Sequence, residues 1–297
     1  MNPASGNATD TVPCLCGCAS ASVVHVGNGL ELLRCQLCSL WARAKMPTEE
    51  EAVNFYRDEY WVRFRKEQVG LGRDNVYAHA LEWLADLHPA PGLLVDVGCG
   101  GGAFLGFSRE RGWRAIGFDP SAQAVAYARE HGLEAYVEKW PPCSLPDESA
   151  DAVTFINVLD HLRDPFAVLR EAWRILRPGG VLYMRVPNGS VHMNLKRALN
   201  IMGLGKLAVF HLYGFNRDAF LHHLPRLGFT IVAVRTAMPS RQDEYGRTGG
   251  SMLIFRKIFK LADGIGYRLV RTFGLDHMAW GPTIEVMACK ASLEMRR

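Results

Sequence analysis

Between Pro91 and Thr236 the apolar positions change period repeatedly, from short continuous runs to three- and four-residue spacing and back. Leu93-Leu-Val-Asp-Val97 reads as one buried strand; four glycines in the five positions 98–102 break it, and helix-compatible residues follow from Ala103 to Arg111. Arg114–Phe118 is a second strand that delivers Asp119, and Ser121 caps a helix ending near Gly132. Leu133–Val137 and Asp151–Asn157 are strands three and four. Asp164-Pro165 opens a helix on which Phe166, Leu169, Trp173 and Leu176 share a face, and Arg177-Pro-Gly-Gly180 ends it before a fifth strand, Val181–Val186. A helix from Arg217 to Leu227, closed by Gly228, and strands Phe229–Val234 and Thr283–Lys290 complete the series. Such alternation predicts an α/β fold with a parallel sheet covered on both faces, whose ligands sit beyond the carboxyl ends of the strands. Asp96, Asp119, Asn157 and Asn188 all fall at or just past such ends.

The glycine turn demands a ligand, because glycine serves where φ must be positive or where a group must approach the main chain closely. Two readings compete. Gly98, Gly100 and Ala103 fit the dinucleotide fingerprint, with Asp119 as the acid about 20 residues on. Asp96 argues otherwise, since a carboxylate before the turn repels a pyrophosphate and suits a cofactor carrying an ammonium and a sulfonium. S-adenosylmethionine is such a cofactor.

Upstream, residues 1–10 are polar and read as a flexible tail. Pro47-Thr-Glu-Glu-Glu begins a helix with Thr48 as N-cap, and an aromatic and basic stretch (Tyr56, Tyr60, Trp61, Arg63, Phe64, Arg65, Lys66) continues helically to Leu87, broken near Gly70-Leu-Gly72. The aromatics read as core or lid. Between the last two strands lie nearly fifty residues, including Met252–Leu261, an apolar segment carrying Arg256, Lys257 and Lys260. It is read either as an interfacial helix in peripheral contact with a membrane or as a cover over the active site.

Composition narrows the class. The 297 residues can bury a sizeable core, 48% are hydrophobic, and no apolar run reaches the ~20 residues of a membrane span. The N-terminus lacks a signal-peptide core, which makes the cytoplasm the expected location. A net charge of +4 is too mild to call for nucleic acid. Of eight cysteines, five lie between Cys14 and Cys38. Asn28-Gly29 predicts a hairpin that brings Cys14-Leu-Cys16-Gly-Cys18 and Cys35-Gln-Leu-Cys38 together at its open end, the layout of a zinc ribbon. Four of the five (Cys14, Cys16, Cys18, Cys35, Cys38) would hold a structural zinc, and spacing leaves open which two of the first three take part. The alternative is a degenerate ribbon with thiols or a redox pair.

Over roughly residues 75–290 the chain resembles the class I SAM-dependent methyltransferases, most of all the small-molecule type related to ubiquinone-biosynthesis O-methyltransferases. The resemblance rests on Val95-Asp-Val-Gly-Cys-Gly-Gly-Gly102, Gly117-Phe-Asp119-Pro, Asp151-Ala-Val-Thr-Phe-Ile-Asn-Val-Leu-Asp-His161 and Leu176-Arg-Pro-Gly-Gly-Val-Leu182. It implies a doubly wound, seven-stranded Rossmann-like sheet with the last strand antiparallel beside the fifth, plus the small N-terminal ribbon. It also implies S-adenosylmethionine held by Asp96, Gly98, Cys99, Gly100, Gly102, Asp119, Pro120 and Asn157, with the ribose on Asp119. The chain then divides into a tail (1–10), a ribbon-like module (11–46), a helical cap or linker (47–90) and a methyltransferase domain (91–297) with substrate or lid insertions at 188–215 and 237–282.

Asp160-His161 matches the acidic-His pair such enzymes often carry after the fourth strand. An oxygen nucleophile has a proton to lose, and a histidine is a suitable base. His211 and Tyr213 are alternatives at the substrate site. The expected reaction is methyl transfer to a small molecule, at oxygen first. Proteins with a ribbon ahead of such a domain include sugar C-methyltransferases and an rRNA guanine methyltransferase group, so RNA base methylation is a rival. Asn157-Val-Leu-Asp160 lacks the Asn/Asp-Pro-Pro-aromatic pattern of amino-group methylation. A ribbon binding protein whose domain no longer turns over is a third reading.

Overall fold

The computed structural model describes residues 11–12, 16–17, 20–27, 30–62, 65, 69, 71–88, 90–201, 211–241, 261 and 263–291. At the N-terminus β1 (Thr11–Val12), β2 (Ala21–Gly27), β3 (Leu30–Cys35) and β4 (Trp41–Arg43) form an antiparallel sheet. Gly27 stands opposite Leu30, so β2 and β3 make the expected hairpin; Asn28 and Gly29 themselves lie outside the described residues. Thr48 starts helix α1 (Glu49–Asn54) with a reciprocal box: Glu51 N donates to Thr48 Oγ1 at 3.1 Å and Thr48 N donates to Glu51 Oε2 at 2.7 Å. The helix widens into a π-turn over Phe55–Tyr60, and a 3₁₀ turn at Leu71–Arg73 leads into α2 (Asp74–Leu87).

The main sheet contains β5 (Leu93–Val97), β6 (Arg114–Asp119), β7 (Glu134–Val137), β8 (Ala150–Ile156) and β9 (Leu176–Pro187), all mutually parallel. Between them run α3 (Ala103–Glu110), α4 (Ala122–Glu130) and α5 (Pro165–Ile175), followed by α6 (Gly189–Ile201). After β10 (Tyr213–Gly214) come α7 (Arg217–His223), β11 (Phe229–Thr236), a helix α8 over 263–272, and β12 (Thr283–Lys290). The strand order is β11-β12-β9-β8-β5-β6-β7, with β12 antiparallel to both β9 and β11, which is the seven-stranded topology expected.

Two details differ from the sequence pattern. Helix α5 stops at Ile175, and β9 starts at once: Leu176 pairs with Ala150 and Val181 with Ala152, so Arg177–Gly180 form a bulge in the strand rather than a helix end. Its deepest residues are Val168, Leu169, Ala172 and Ile175, while Phe166 and Trp173 are only partly buried. The helix read from Arg217 to Leu227 is divided, because Pro225 has no N–H to donate; a separate 3₁₀ turn ends at Gly228, whose φ is +89°.

The sheet is packed on both faces. On one, Leu94, Ala152, Val181, Tyr183 and Met287 meet Tyr77, Leu81 and Leu84 of α2 and Phe104 of α3. On the other, Val95, Phe118, Phe155 and Leu182 share a core with Leu169 and Phe220, and also with Cys35, Cys38, Leu40 and Ala42 from the N-terminal sheet. The union extends to the backbone. Strand β10 pairs antiparallel with β4, Tyr213 opposite Ala42 and Gly214 opposite Trp41, and Arg43 N donates to Leu212 O at 2.9 Å. A segment of the 188–215 insertion thus completes the ribbon sheet and covers its edge. Gly189 passes so near this strand that a Cβ there would lie 2.3 Å from the Gly214 carbonyl.

Candidate active site

The carboxyl edge of the parallel strands collects most of the chemistry. At the end of β5, Gly98 (φ +74°), Gly100 (+54°) and Gly102 (+81°) fold the chain back on itself. Gly98 N donates to Phe118 O at 2.7 Å, and Gly100 N donates to Asp119 Oδ2 at 2.9 Å. The other Asp119 oxygen accepts from Ser121 N at 2.8 Å, so strand β6 ends in a carboxylate held by two backbone amides, with half-buried Pro120 beside it. Each oxygen keeps a lone pair for further donors. Burial raises Asp119 above the usual carboxylate range against those two amides. Cys99 turns its thiol inward against Gly117, where a Cβ would lie 2.5 Å from its sulfur, so only its backbone faces the turn.

Asp96 lies deeper than its motif suggests. Its side chain is 3% exposed, Thr154 Oγ1 donates to its Oδ1 at 2.6 Å, and burial pushes it up to about 7 despite that hydrogen bond. At the end of β8, Asn157 takes a left-handed φ of +58° and accepts from Arg185 Nη1 at 3.0 Å. Arg185 is 6% exposed and also donates to Met238 O. An arginine inside the apolar run of β9 is the one sequence signal that could have singled it out.

A second group forms after β8. In the 3₁₀ turn Leu159–His161, Asp160 is 1% exposed, and its Oδ2 lies in contact with His211 Nδ1 and 3.7 Å from His161 Nε2. The His211 contact is close but lacks the angle of a hydrogen bond: both Asp160 oxygens, His161 Nδ1 and His211 Nδ1 lack a hydrogen-bond partner among the described residues. Burial works to raise Asp160, and is outweighed by the two imidazoles, which hold it at about 2. Burial lowers His161 below the ordinary histidine range, with His211 adding to the effect and Asp160 opposing it. The structure therefore unites Asp160 and His161 with His211, read from the sequence as separate candidates. Tyr213 does not join them: its ring is in the core and its hydroxyl donates to Arg163 O at 3.1 Å.

Residues not named as site candidates from the sequence lie beside the site, among them Tyr56, Tyr60 and Trp61, whose sequence pattern reads as core or lid. Tyr56 and Tyr60 on the π-turn put their rings 6.0 and 6.4 Å from the His161 ring, and Trp61 lies against the glycine turn, where a Cβ on Gly101 would come 3.0 Å from its ring. One stretch of the N-terminal helix thus spans both groups. His192 of α6 lies 6.5 Å, ring to ring, from His211 and bonds Pro282 O. A cleft of about 550 Å³ at the opposite edge, among Gly92, Leu93, Arg114, Asp151 and Arg177, holds none of the candidate site residues.

Among the described residues, two groups bring three metal-type donors within 4.8 Å: Asp160, His161 and His211, and Cys16, Cys35 and Cys38. Cys14 and Cys18 lie outside the described residues. Cys16 Sγ is 3.6 Å from Cys35 Sγ and from Cys38 Sγ, too far for a disulfide and close to the ~3.8 Å edge of a tetrahedron with metal–sulfur bonds of about 2.3 Å. Cys38 N points at Cys35 Sγ (3.4 Å), and His223 Nε2 of α7 lies 3.3 Å from Cys38 Sγ.

Known proteins match this architecture. A family model described as a methyltransferase domain matches residues 70–234. The ubiquinone biosynthesis O-methyltransferase of Xanthomonas oryzae is 36% identical over 111 residues, 35% of this chain and 46% of that protein, so the chain spans about half the length of the curated relatives it matches. Among solved structures, the magnesium protoporphyrin IX methyltransferase of Synechocystis with bound SAH aligns at a TM-score of 0.56 and 13% identity, over 82% of this chain and all of that one. The 1,6-didemethyltoxoflavin-N1-methyltransferase of Burkholderia thailandensis aligns at 0.54 and 11% identity, over 91% and 99%. These two likenesses establish the fold.

Proposed function

The chain belongs to the SAM-dependent methyltransferases, and on that premise we propose that it transfers a methyl group to the oxygen of a small-molecule acceptor. The observation that carries this reading is the convergence, on one sheet edge, of the glycine turn with Asp119 and of buried Asp160 with half-buried His161 and His211 beside Tyr56 and Tyr60. The residues present suit the cofactor: three positive-φ glycines bare the backbone, and the Asp119 carboxylate has acceptor capacity left for two ribose hydroxyls. Gly98, Cys99, Gly100 and Gly102 would cradle the methionine part through their backbone, with Asn157 and Pro120 bordering it. Asp96, under the turn, answers the ammonium. When bound, S-adenosylmethionine supplies an electrophilic methyl on a sulfonium.

The rest falls to the acceptor group. His161, kept neutral by burial, takes the proton of the acceptor hydroxyl, and ionised Asp160 stabilises the imidazolium that results. His211 shares Asp160 and borders the acceptor. Tyr56, Tyr60 and Trp61 exclude water across both halves. The identity of the ubiquinone O-methyltransferase relatives favours oxygen over a nucleobase nitrogen.

Zinc in the N-terminal sheet is held, in this reading, by Cys16, Cys35 and Cys38 with a fourth ligand from Cys14 or Cys18, and His223 flanks Cys38. Its role is structural.

Calorimetry with S-adenosylmethionine tests the first reading: micromolar binding is expected, weakened at least about tenfold in Asp119→Ala, whose lost hydrogen bonds are charge-assisted. No binding, or binding indifferent to that change, would sink it. Metal analysis should find about one zinc per chain. None would refute the ribbon, and two would reassign the Asp160 group as a metal site.

A further inference from the structure

Helix α8 is amphipathic in the wrong sense for a helix that only packs on its own protein. Leu261, Ile265 and Leu269 recur at four-residue spacing and are 66%, 50% and 53% exposed, and Phe273, one further step along, is 71% exposed. Beyond the helix Trp280 is 60% exposed, with Leu275 and Met278 also open. Lone exposed apolar residues are ordinary, but a continuous row of this kind marks a surface that meets something apolar.

Charge indicates what that is. Arg268 is exposed at the edge of the row, whereas Arg271 and Asp263 both fall on the far side of the helix at ~100° per residue. From Arg256 to Met278 the sequence has five lysines and arginines against two aspartates, Asp263 and Asp276; Arg256, Lys257 and Lys260, which precede the helix in the chain, lie outside the described residues. A row of aliphatic and aromatic side chains with Arg268 at its edge and a tryptophan at its end, in a segment whose sequence carries an excess of lysine and arginine, has the chemistry of a helix lying in the boundary layer of an anionic bilayer. No helix among the described residues is long and apolar enough to cross a membrane, so the contact is one of lying on the surface.

Position adds a reason. The chain leaving this surface returns directly to the carboxyl edge of the main sheet. Asn188, just past β9, donates through Nδ2 to Ala279 O at 2.8 Å and Gly281 O at 2.9 Å, and His192, near His211, bonds Pro282 O at 2.9 Å. The exposed row is therefore tethered to the mouth of the acceptor group.

We infer that α8 and the turn to Trp280 seat the protein on an anionic phospholipid surface, with the acceptor side of the site next to the bilayer. The docking surface stands on its own residues; only the link to the acceptor rests on the function proposed above.

Co-sedimentation of the full chain with vesicles tests it. Vesicles of phosphatidylcholine with about 30% phosphatidylglycerol should carry the protein down, and pure phosphatidylcholine should retain at least about tenfold less. Leu269→Ser with Phe273→Ser should lower partitioning at least about tenfold on both surfaces, and Arg268→Glu with Arg271→Glu on the anionic one alone. Unchanged S-adenosylmethionine binding in the variants would show that they are folded and keeps this outcome separate from the fate of the methyltransferase reading. Absence of sedimentation with anionic vesicles, or both variants binding like the parent, would overturn the inference. So would a dimer, seen by light scattering, that Leu269→Ser with Phe273→Ser dissociates, because the row would then face a second copy of the chain.

Discussion

Asp96 is a carboxylate in a place that disfavours its charge. Its folded value of about 7 lies above the ordinary 3.8, so the folded state holds the proton more tightly and stability falls as pH rises between those values, by up to about 4 kcal/mol. Asp96→Asn keeps the acceptor for Thr154 and removes that cost. It should melt above the parent at pH 8 without cofactor, with the gap closing toward pH 4, and bind S-adenosylmethionine more weakly. A lower melting point at pH 8 would contradict the burial argument. His161 gives a second expectation. Its lowered value puts the acid limb of kcat/KM below 6.5, and His161→Gln should cut kcat about 10²- to 10⁴-fold and remove that limb, read from a pH profile. The groups facing it are Asp160, His211, Tyr56 and Tyr60. Asp96, Asp119 and Asp160 were legible in the sequence because each ends or follows a strand with a recognisable pattern. Tyr56, Tyr60 and His192 were not, because they reach the site from elements whose own periodicity says nothing about where they dock.

Regular elements were readable in nearly the same way. Period, caps and glycine stops located the seven strands of the main sheet, since each depends on a few neighbouring residues. The two-residue strand β10 depends on a partner far along the chain and left no local trace, while Arg177-Pro-Gly-Gly180 was legible as a break whose form, a bulge in β9 rather than a helix end, is set by its pairing with β8. Asn216 shows such a partnership within one side chain. Its Oδ1 caps α7 by accepting from Ala219 N at 2.8 Å, while its Nδ2 donates to Ser39 O at 2.6 Å in the N-terminal sheet. Aspartate caps as well as asparagine but has no amide to donate. Asn216→Asp should therefore cost about 1–3 kcal/mol in urea unfolding, and a neutral outcome would mean that the Ser39 bond carries no stability.

At the scale of the whole molecule, the module boundary drawn near residue 46 is crossed by both a shared sheet and a shared core. Thermal unfolding should then be a single transition, and with zinc in the N-terminal sheet, as proposed above, a chelator should lower that transition as a whole. An early, separate N-terminal melt would argue that the ribbon folds independently. That a hairpin gathers cysteines was legible from cysteine spacing and the Asn28-Gly29 turn. That it is sewn into the catalytic half was not, because the stitch is Tyr213-Gly214, over 160 residues downstream.

The same stitch bears on how the protein is made. Strand β4 leaves the ribosome early, but the strand that closes it cannot be present until residue 214 has been synthesised. At roughly 5–20 residues per second, an open edge of the nascent chain stands exposed for on the order of ten seconds or more. Ribosome-bound chains stalled before residue 211 should expose the cysteine cluster to thiol reagents, and chains stalled well beyond residue 230 should shield it.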